Sequence, residues 1–373
     1  MNFKIEYLVF ANGQSENTEP KHLKLRQGKI PFTLVSLLKK IRKLNYFKIL
    51  EFNFRAYANF FYYSFKVRSL SEHKIIIKLR LRHLINQFLI QDLSGKSFYS
   101  NPTVLADKST VKYFLRVTNN AFYPAADEFG NWHIDGDGQD IKNGLLMLEV
   151  DELNNKKTLS SIIDMVGPPC LEDSRVFISQ NKEFLVSTFV ESSRISGGSW
   201  KSSVGILDLE SKVLYVMPSP FGVRIEKNWI PFESSKSDDC INLIYQSDPL
   251  CVLKVDLKTK KLNLLNGPPS KKARLNGGSQ AVLLKNGNYI RVARRKYAWP
   301  KYGWIYFNYF VLHKPNFEEI SRSKPFIFEQ LGIEICNGLA LNGDDLILSW
   351  AKNERTVYTS TISLNCVLSN FEK

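Results

Sequence analysis

The sequence predicts an all-β protein, a five-bladed β-propeller preceded by a basic, partly helical N-terminal extension. Short apolar runs separated by Asn, Gly, Asp, Ser and Pro follow one another from residue 98 onward. No long stretch of helical periodicity interrupts these runs, and a weakly repeated unit recurs five times among them. We therefore assign residues 98–373 to the propeller and residues 1–97 to the extension.

The N-terminal extension carries most of the positive charge of the 373-residue chain. It holds 18 Lys or Arg residues against 6 Asp or Glu residues, a net charge of +12 out of a total of +15. Apolar residues recur at a spacing of three from Phe32 to Leu44, among lysines and arginines, which predicts a basic amphipathic helix. A second basic stretch at 71–90 fits either a helix or a strand.

Three roles fit this extension. Its helices could support the main domain with solvated basic faces, or bind an anionic membrane surface or another polyanionic partner. Nucleic acid is the least favoured partner, because no nucleic-acid-binding motif accompanies the charge. The N-terminus makes a poor signal peptide, and five scattered cysteines without a C-x-x-C pair suit a reducing compartment. We expect a cytoplasmic protein, peripheral to the membrane if the extension binds lipid.

The repeated unit opens with polar residues, enters an apolar strand, turns through Asn, Gly, Asp or Lys, and returns through a second strand. The five openings lie at Asn101, Glu172, Glu226, Gly277 and Glu334. Their offsets of 71, 54, 51 and 57 residues each fit one four-stranded blade. In a propeller the loops that lead into the innermost strands meet at one mouth of the channel. The five openings therefore predict a shared polar pocket.

Three of these openings carry a resemblance to a known family. "LEDSRVF", "IEKNWIPF" and "NGGSQAV" resemble the EDPR, EKN and GG-T/S-P motifs of the five-bladed propellers of glycoside hydrolase family 130. The resemblance covers residues 98–373. That family includes β-mannoside phosphorylases, hydrolases, and mannosyltransferases that use a sugar nucleotide. Ser174 and Gln280 stand where the family usually has proline, and Glu354 stands where it often has Asp.

The resemblance implies a pocket for one sugar ring, with Asp173 as proton donor and Glu172 beside it as the second catalytic residue. Candidates for substrate binding lie at the same predicted mouth. They are Asn101, Arg116, Arg175, Glu226, Lys227, Asn228, Trp229, Gly278, Ser279, Arg294, Glu334, Asn337 and Glu354. Among these, an indole could stack on a sugar face, Gly278 could expose backbone amides, and Arg294 could hold an anion. Each also has a structural interpretation as a charged turn, a tight turn or a core side chain.

The function expected from these features is glycosyl transfer in the synthesis of a cell-surface glycan or polysaccharide. The partners would be a sugar donor, either a sugar nucleotide or a sugar phosphate, and a glycan acceptor. No metal site and no cofactor are expected, because "HIDGDGQD" lacks the bidentate Glu of a calcium loop. Two alternatives stay open: a β-mannoside phosphorylase or hydrolase, and a carbohydrate-binding propeller without catalysis.

Overall fold

The computed structural model describes four short segments near the N-terminus and most of the chain from residue 98 to residue 371. The short segments are 4–7, 9–10, 68–69 and 77–80. The gaps after residue 98 are 108, 119–120, 124–132, 136–141, 152–153, 155, 167–169, 193–200, 234–239, 271–274, 276, 300–302, 330 and 355. The amphipathic helix predicted from Phe32 to Leu44 lies outside the described residues.

Five sheets form the five predicted blades, which confirms the fold class. In each blade the strands are given from the innermost to the outermost. Blade 1 contains β5 Phe98–Asp107, β6 Thr110–Thr118, β9 Lys142–Asp151 and β10 Lys156–Val166. Blade 2 contains β11 Cys170–Ser179, β12 Lys182–Ser192, β13 Lys201–Asp208, β14 Val213–Met217 and β1 Lys4–Tyr7. Blade 3 contains β15 Ile230–Pro231, β16 Ile241–Ser247, β17 Leu250–Asp256, β18 Lys261–Asn266 and β2 Val9–Phe10.

The last two blades follow the same plan. Blade 4 contains β19 Val282–Leu283, β20 Tyr289–Trp299, β21 Gly303–His313, β23 Phe326–Ile327 and β3 Arg68–Ser69, with β22 Glu319–Arg322 also paired to β21. Blade 5 contains β24 Glu334–Asn342, β25 Asp345–Lys352, β26 Thr356–Ser363 and β4 Ile77–Arg80. A short helix, α1 Leu364–Leu368, follows blade 5, and β7 Ala121–Tyr123 pairs with β8 His133–Asp135 in a separate ribbon.

The blades form where apolar runs are separated by tight turns. Strand β11 turns into β12 through Gln180 and Asn181, whose φ angles of 54° and 61° suit a tight hairpin turn. The core lies between neighbouring blades. Phe177 and Val186 of blade 2, for example, pack with Leu243 and Leu253 of blade 3. Because each blade buries both faces against its neighbours, the blades close into a ring.

The ring closes where blade 5 meets blade 1. The Ser349 hydroxyl donates to the Pro102 carbonyl oxygen at 3.0 Å. A Cβ atom at Gly338 would lie 2.5 Å from the backbone nitrogen of Val104, so only glycine allows this close approach. Gln280 of blade 4 joins the same contact, because its Nε2 donates to the carbonyl oxygens of Val104 at 2.8 Å and Leu339 at 2.6 Å.

The four short strands before residue 97 pair with the outer edges of blades. Strands β1, β2 and β3 add parallel strands to blades 2, 3 and 4, and β4 pairs antiparallel with β26 in blade 5. In the basic stretch 71–90 the structure therefore has a strand at Ile77–Arg80, one of the two predicted alternatives. Blade 5 is completed by a strand that precedes blade 1 in the chain. The domain boundary near residue 97 stays a prediction.

Candidate functional site

Three of the innermost strands carry a β-bulge at matching positions near one end of the channel. The pairing register shifts between Ser100 and Thr103 in β5. It also shifts between Glu172 and Arg175 in β11, and between Cys336 and Gly338 in β24. A bulge leaves extra residues unpaired and redirects their side chains. Asn101, Asp173 and Asn337, all named by the sequence, lie within these bulges.

The first wall of this mouth consists of three carboxyl groups from blades 2 and 5: Glu172, Asp173 and Glu354. We call it the carboxyl wall. Glu172 Oε1 accepts a hydrogen bond and ion pair from the nearly buried Arg116 at 2.6 Å. Asp173 Oδ1 accepts from Asn101 Nδ2 at 2.5 Å. Both carboxylates stay half-buried, so they remain accessible from the mouth.

The charges of these groups shift the pKa values of Arg116 and Glu354. Burial alone would lower the pKa of Arg116, but attraction from Glu172, Asp173 and Glu354 outweighs burial and raises it. Burial, reinforced by repulsion from Asp173, raises the pKa of Glu354 to about 7, although Arg116 opposes this shift. The carboxyl wall therefore combines an arginine-paired carboxylate with a carboxyl group that holds a proton near neutral pH.

Beside the carboxyl wall lies a cationic wall with two arginines, Arg175 and Arg294, which we call the deep arginine pair. Arg175 is 1% exposed, and its Nε donates to the Gly278 carbonyl oxygen at 2.6 Å. Its NH1 donates to the Asp173 carbonyl oxygen at 2.8 Å. Burial and repulsion from Arg294 lower the pKa of Arg175 to about 9.

The two arginines share the same two amide oxygens. Asn228 Oδ1 accepts from Arg175 at 3.3 Å and from Arg294 at 3.4 Å. Asn337 Oδ1 accepts from Arg175 at 3.4 Å and from Arg294 at 3.3 Å. These bonds are long and their acceptors are neutral. Within the described part of the chain, neither guanidinium forms an ion pair with a carboxylate, so the pair offers positive charge to an anion.

Two glycines, Gly277 and Gly278, let the segment that leads into blade 4 pack closely against strand β20, which carries Arg294. A Cβ atom at Gly277 would lie 2.9 Å from Arg294 NH2, and one at Gly278 would lie 1.9 Å from the Val292 carbonyl oxygen. Gly278 also has a φ of 130°, which favours glycine. Any side chain at Gly278 would therefore displace the strand that carries Arg294.

The backbone of the mouth is unusual at several non-glycine residues. Asn101, Asp173, Asn228 and Glu354 have φ angles of 48°, 52°, 62° and 52°. A positive φ is uncommon for such residues and is found preferentially at functional sites. Asp173 and Glu354 belong to the carboxyl wall, Asn101 bonds Asp173, and Asn228 bonds both arginines of the deep pair.

Two buried amide atoms in the mouth have no hydrogen-bond partner among the described residues: Asn101 Oδ1 and Asn337 Nδ2. Each residue uses its other amide atom, since Asn101 Nδ2 donates to Asp173 and Asn337 Oδ1 accepts from the arginines. A sugar hydroxyl can both donate and accept, so it could satisfy either atom.

Four predicted site residues lie outside this cluster. Glu226 accepts hydrogen bonds from Ser219, Trp229 and Tyr245 and thereby fixes its own loop. Trp229 is 1% exposed in the core between blades 2 and 3, so its ring has no open face for a sugar. Ser279 and Glu334 complete the list. The Ser279 hydroxyl donates to the Gln280 carbonyl oxygen and accepts from the Val292 backbone nitrogen. The Glu334 carboxylate accepts from the backbone nitrogens of Phe328 and Glu329.

Sequence reasoning named Arg294 but missed Lys296, Tyr306 and Trp304 on the same β20–β21 hairpin. Arg294 Cζ lies 5.6 Å from the centre of the Tyr306 ring, and Lys296 Nζ lies 3.5 Å from the centre of the Trp304 ring. Burial, together with repulsion from Lys227 and Arg294, lowers the pKa of Lys296 to about 8. The alternation in "RVARRKYAW" could have indicated that Arg294 and Lys296 share one face of a strand.

The described residues contain no group of three or more His, Cys, Asp or Glu side chains placed to hold a metal ion. Across the same part of the chain, no helix has the length and apolar character needed to cross a membrane.

No protein-family model matches this sequence, and no curated protein is significantly similar to it. Similar folds do occur among solved structures. A β-1,2-mannobiose phosphorylase from Listeria innocua, solved with β-1,2-mannobiose, gives a TM-score of 0.52 at 12% identity, over 79% of this chain and 98% of that one. A glycosyl hydrolase from Bacteroides ovatus gives a TM-score of 0.51 at 11% identity, over 73% of this chain and 85% of that one. The chain thus has the five-bladed propeller fold of these carbohydrate-active proteins, as the motif resemblance implied.

Proposed function

We propose that this protein is an inverting glycoside-processing enzyme that cleaves small β-mannosides with phosphate or water. One observation supports this most directly: the carboxyl wall and the deep arginine pair adjoin at one end of the channel, where Arg175 NH1 donates to the Asp173 carbonyl oxygen at 2.8 Å. Cleavage with inversion needs an acid at the leaving oxygen and an attacking group on the opposite face of the sugar. Two unlike walls provide both requirements.

In this proposal Asp173 supplies the proton. The bond between the anomeric carbon and the glycosidic oxygen breaks, and the proton of Asp173 passes to that oxygen. A phosphate oxygen, held by the deep arginine pair, forms the new bond to the anomeric carbon from the opposite face. The products are the shortened sugar and an α-glycosyl phosphate. With water as the attacking group, a carboxylate takes up one proton from the water and the product is a free sugar.

Other groups of the mouth would bind and orient the sugar. Arg116 holds Glu172 in place, so that Glu172 can accept a hydrogen bond from a sugar hydroxyl. Asn101 Oδ1 and Asn337 Nδ2 would pair with further hydroxyls of the ring. Glu354, which holds a proton near neutral pH, is a second proton source in the same wall.

The similar structures favour cleavage over the glycosyl transfer expected from the sequence. One is a mannobiose phosphorylase and another is a glycosyl hydrolase. Transfer from a sugar nucleotide to a glycan acceptor has no comparable support. A binding propeller without catalysis stays the alternative that an assay has to exclude.

The experiment is an assay of the full chain with β-1,2-mannobiose, in buffer with and without inorganic phosphate. A phosphorylase should release mannose and mannose 1-phosphate only when phosphate is present. A hydrolase should release mannose alone under both conditions. Arg295→Met is the matched control for an Arg294→Met variant, because Arg295 is the next residue and its guanidinium lies over the Tyr297 ring instead of Tyr306. Binding of mannobiose without turnover under either condition would favour the non-catalytic alternative.

Attachment of the basic extension to an anionic membrane surface is a separate proposal. It is supported by the +12 net charge of residues 1–97. Flotation of the full chain with vesicles containing phosphatidylserine should show binding that falls as salt rises. Equal recovery with neutral and anionic vesicles at low salt would overturn it.

A further inference from the structure

The β20–β21 hairpin carries cations and aromatic rings in register on one face. Arg294 and Lys296 are two residues apart on β20, so their side chains leave the same face about 6.6 Å apart along the strand. Their partners on β21 are Asn308 and Tyr306. Arg294 is 6% exposed, whereas Lys296 is exposed. The face therefore leads from the buried end of the mouth outward to solvent.

Aromatic rings, rather than carboxylates, contact these two cations. Arg294 lies over Tyr306 and Lys296 lies over Trp304. An aromatic face attracts a cation but leaves the charge available to another partner. Glu354 acts on Lys296 through space, but no described carboxylate forms an ion pair with Lys296.

Lys227 brings a further positive charge to the same lip from blade 3. It precedes Asn228, whose side chain accepts hydrogen bonds from both members of the deep arginine pair. We call Lys227 and Lys296 the lip lysines. Both are exposed, and within the described residues neither has a carboxylate partner.

Some lysines elsewhere on the propeller, unlike the lip lysines, have a carboxylate partner. Lys112, Lys201, Lys285, Lys314 and Lys352 pair with Glu183, Glu191, Asp344, Glu318 and Glu329, respectively. The lip lysines instead gather beside two arginines of the same sign. Repulsion among four cations disfavours this arrangement unless a bound anion offsets it.

We propose that the lip lysines form an outer anion subsite. The mouth would then bind two anionic groups at once, one at each subsite. The inner group would lie at the deep arginine pair, as in the proposed function on which this inference rests. The outer group would lie at Lys296, with Lys227 across the lip. Two sources share this chemistry: two linked phosphates, or a phosphorylated sugar bound together with free phosphate.

Calorimetric titration in metal-free buffer tests the first source, with inorganic phosphate and inorganic pyrophosphate as probes. Pyrophosphate should bind the full chain at least tenfold more tightly than phosphate. Lys296→Met should weaken pyrophosphate binding about threefold to tenfold and phosphate binding much less, while Lys296→Arg should keep the preference. Lys285→Met is the charge-matched control, since Lys285 pairs with Asp344, and both affinities should stay unchanged.

Titration with mannose 6-phosphate and with mannose, both at saturating phosphate, tests the second source. Tighter binding of the phosphorylated sugar, reduced in Lys296→Met, would assign the outer group to a sugar. If neither probe gains affinity through Lys296 while phosphate binding still depends on Arg294, the outer subsite is overturned and the proposed function stands. If phosphate binding does not depend on Arg294, the inner site fails, and cleavage with phosphate fails as part of the proposed function.

Discussion

The two walls of the propeller mouth differ in how their charges are compensated. In the carboxyl wall Glu172 has an arginine partner and Asp173 has an amide partner, at 2.6 and 2.5 Å. In the cationic wall the deep arginine pair has only neutral acceptors, at 3.3 to 3.4 Å for the shared amide oxygens. Two carboxylates of the first wall thus have side-chain partners, whereas the guanidinium groups of the second have no carboxylate partner within the described residues. Substitutions in either wall, or at the contact that closes the ring, test this contrast.

The largest effect should come from Asp173→Asn in the carboxyl wall. This change keeps the size of the side chain but removes proton transfer, a contribution of about 10²–10⁴-fold in rate. Turnover of β-1,2-mannobiose should fall by that factor, while affinity for the sugar and the melting temperature should change little.

Glu354→Gln is the matched control, because Glu354 is the other proton source in the wall. If Glu354→Gln loses turnover by the same factor and Asp173→Asn does not, the proton donor is Glu354. Full turnover by a normally folded Asp173→Asn protein would remove Asp173 from the mechanism.

The next effect concerns Gln280, which links blade 4 to blades 1 and 5 where the ring closes. Its fully buried amide bonds the backbone of Val104 in blade 1 and of Leu339 in blade 5. Gln280→Met should lower the free energy of unfolding by about 2–4 kcal/mol, because it leaves buried backbone groups without partners. Denaturant unfolding measures this change.

Gln246→Met provides a comparison near the end of β16 in blade 3, where Gln246 bonds only Ser270 and Asp248 among the described residues. Its cost should be clearly smaller. Equal stability losses in the two variants would show that Gln280 has no special role in closing the ring.

A moderate effect is expected from Arg294→Met in the cationic wall. Hydrogen bonds to a charged group contribute about 1.5–3 kcal/mol, so affinity for inorganic phosphate should fall about 10- to 100-fold. Calorimetric titration measures it. Arg295→Met removes the same charge from the next residue, and it should bind phosphate like the parent chain. Similar losses in both variants would indicate a diffuse field rather than a site.

The smallest effect is the pH dependence that Glu354 brings to stability. Its pKa of about 7 lies above the ordinary value of 4.5, so the folded state binds an additional proton between these values. The stability that this proton supplies is complete below pH 4.5 and is lost as pH rises towards 7. Glu354→Gln should therefore raise the melting temperature at pH 8 by roughly 1–3 °C and leave it nearly unchanged at pH 4. A variant that melts with the same pH dependence as the parent chain would contradict the raised pKa.

The sequence by itself determined the five-bladed fold. Alternating apolar runs and turn residues act over a few positions, so the five openings could be located without a structure. They also assigned Asn101, Asp173, Asn228, Arg294 and Asn337 to one pocket, and the structure links these side chains through hydrogen bonds to one another or to Arg175; their role as a sugar pocket stays a prediction. The notable failure of this local reasoning is Trp229, because an indole in a motif can face the core as readily as a ligand.

Only the tertiary structure decided which charges are compensated. Arg116 and Glu172 lie 56 residues apart, and Gln280 reaches Val104 across 176 residues, so no local pattern could have paired them. The bulges that turn Asn101 and Asp173 into the mouth arise from strand pairing, which a single strand's sequence does not encode. The contrast between a matched carboxyl wall and an unmatched cationic wall depends on the distances that ring closure imposes between blades.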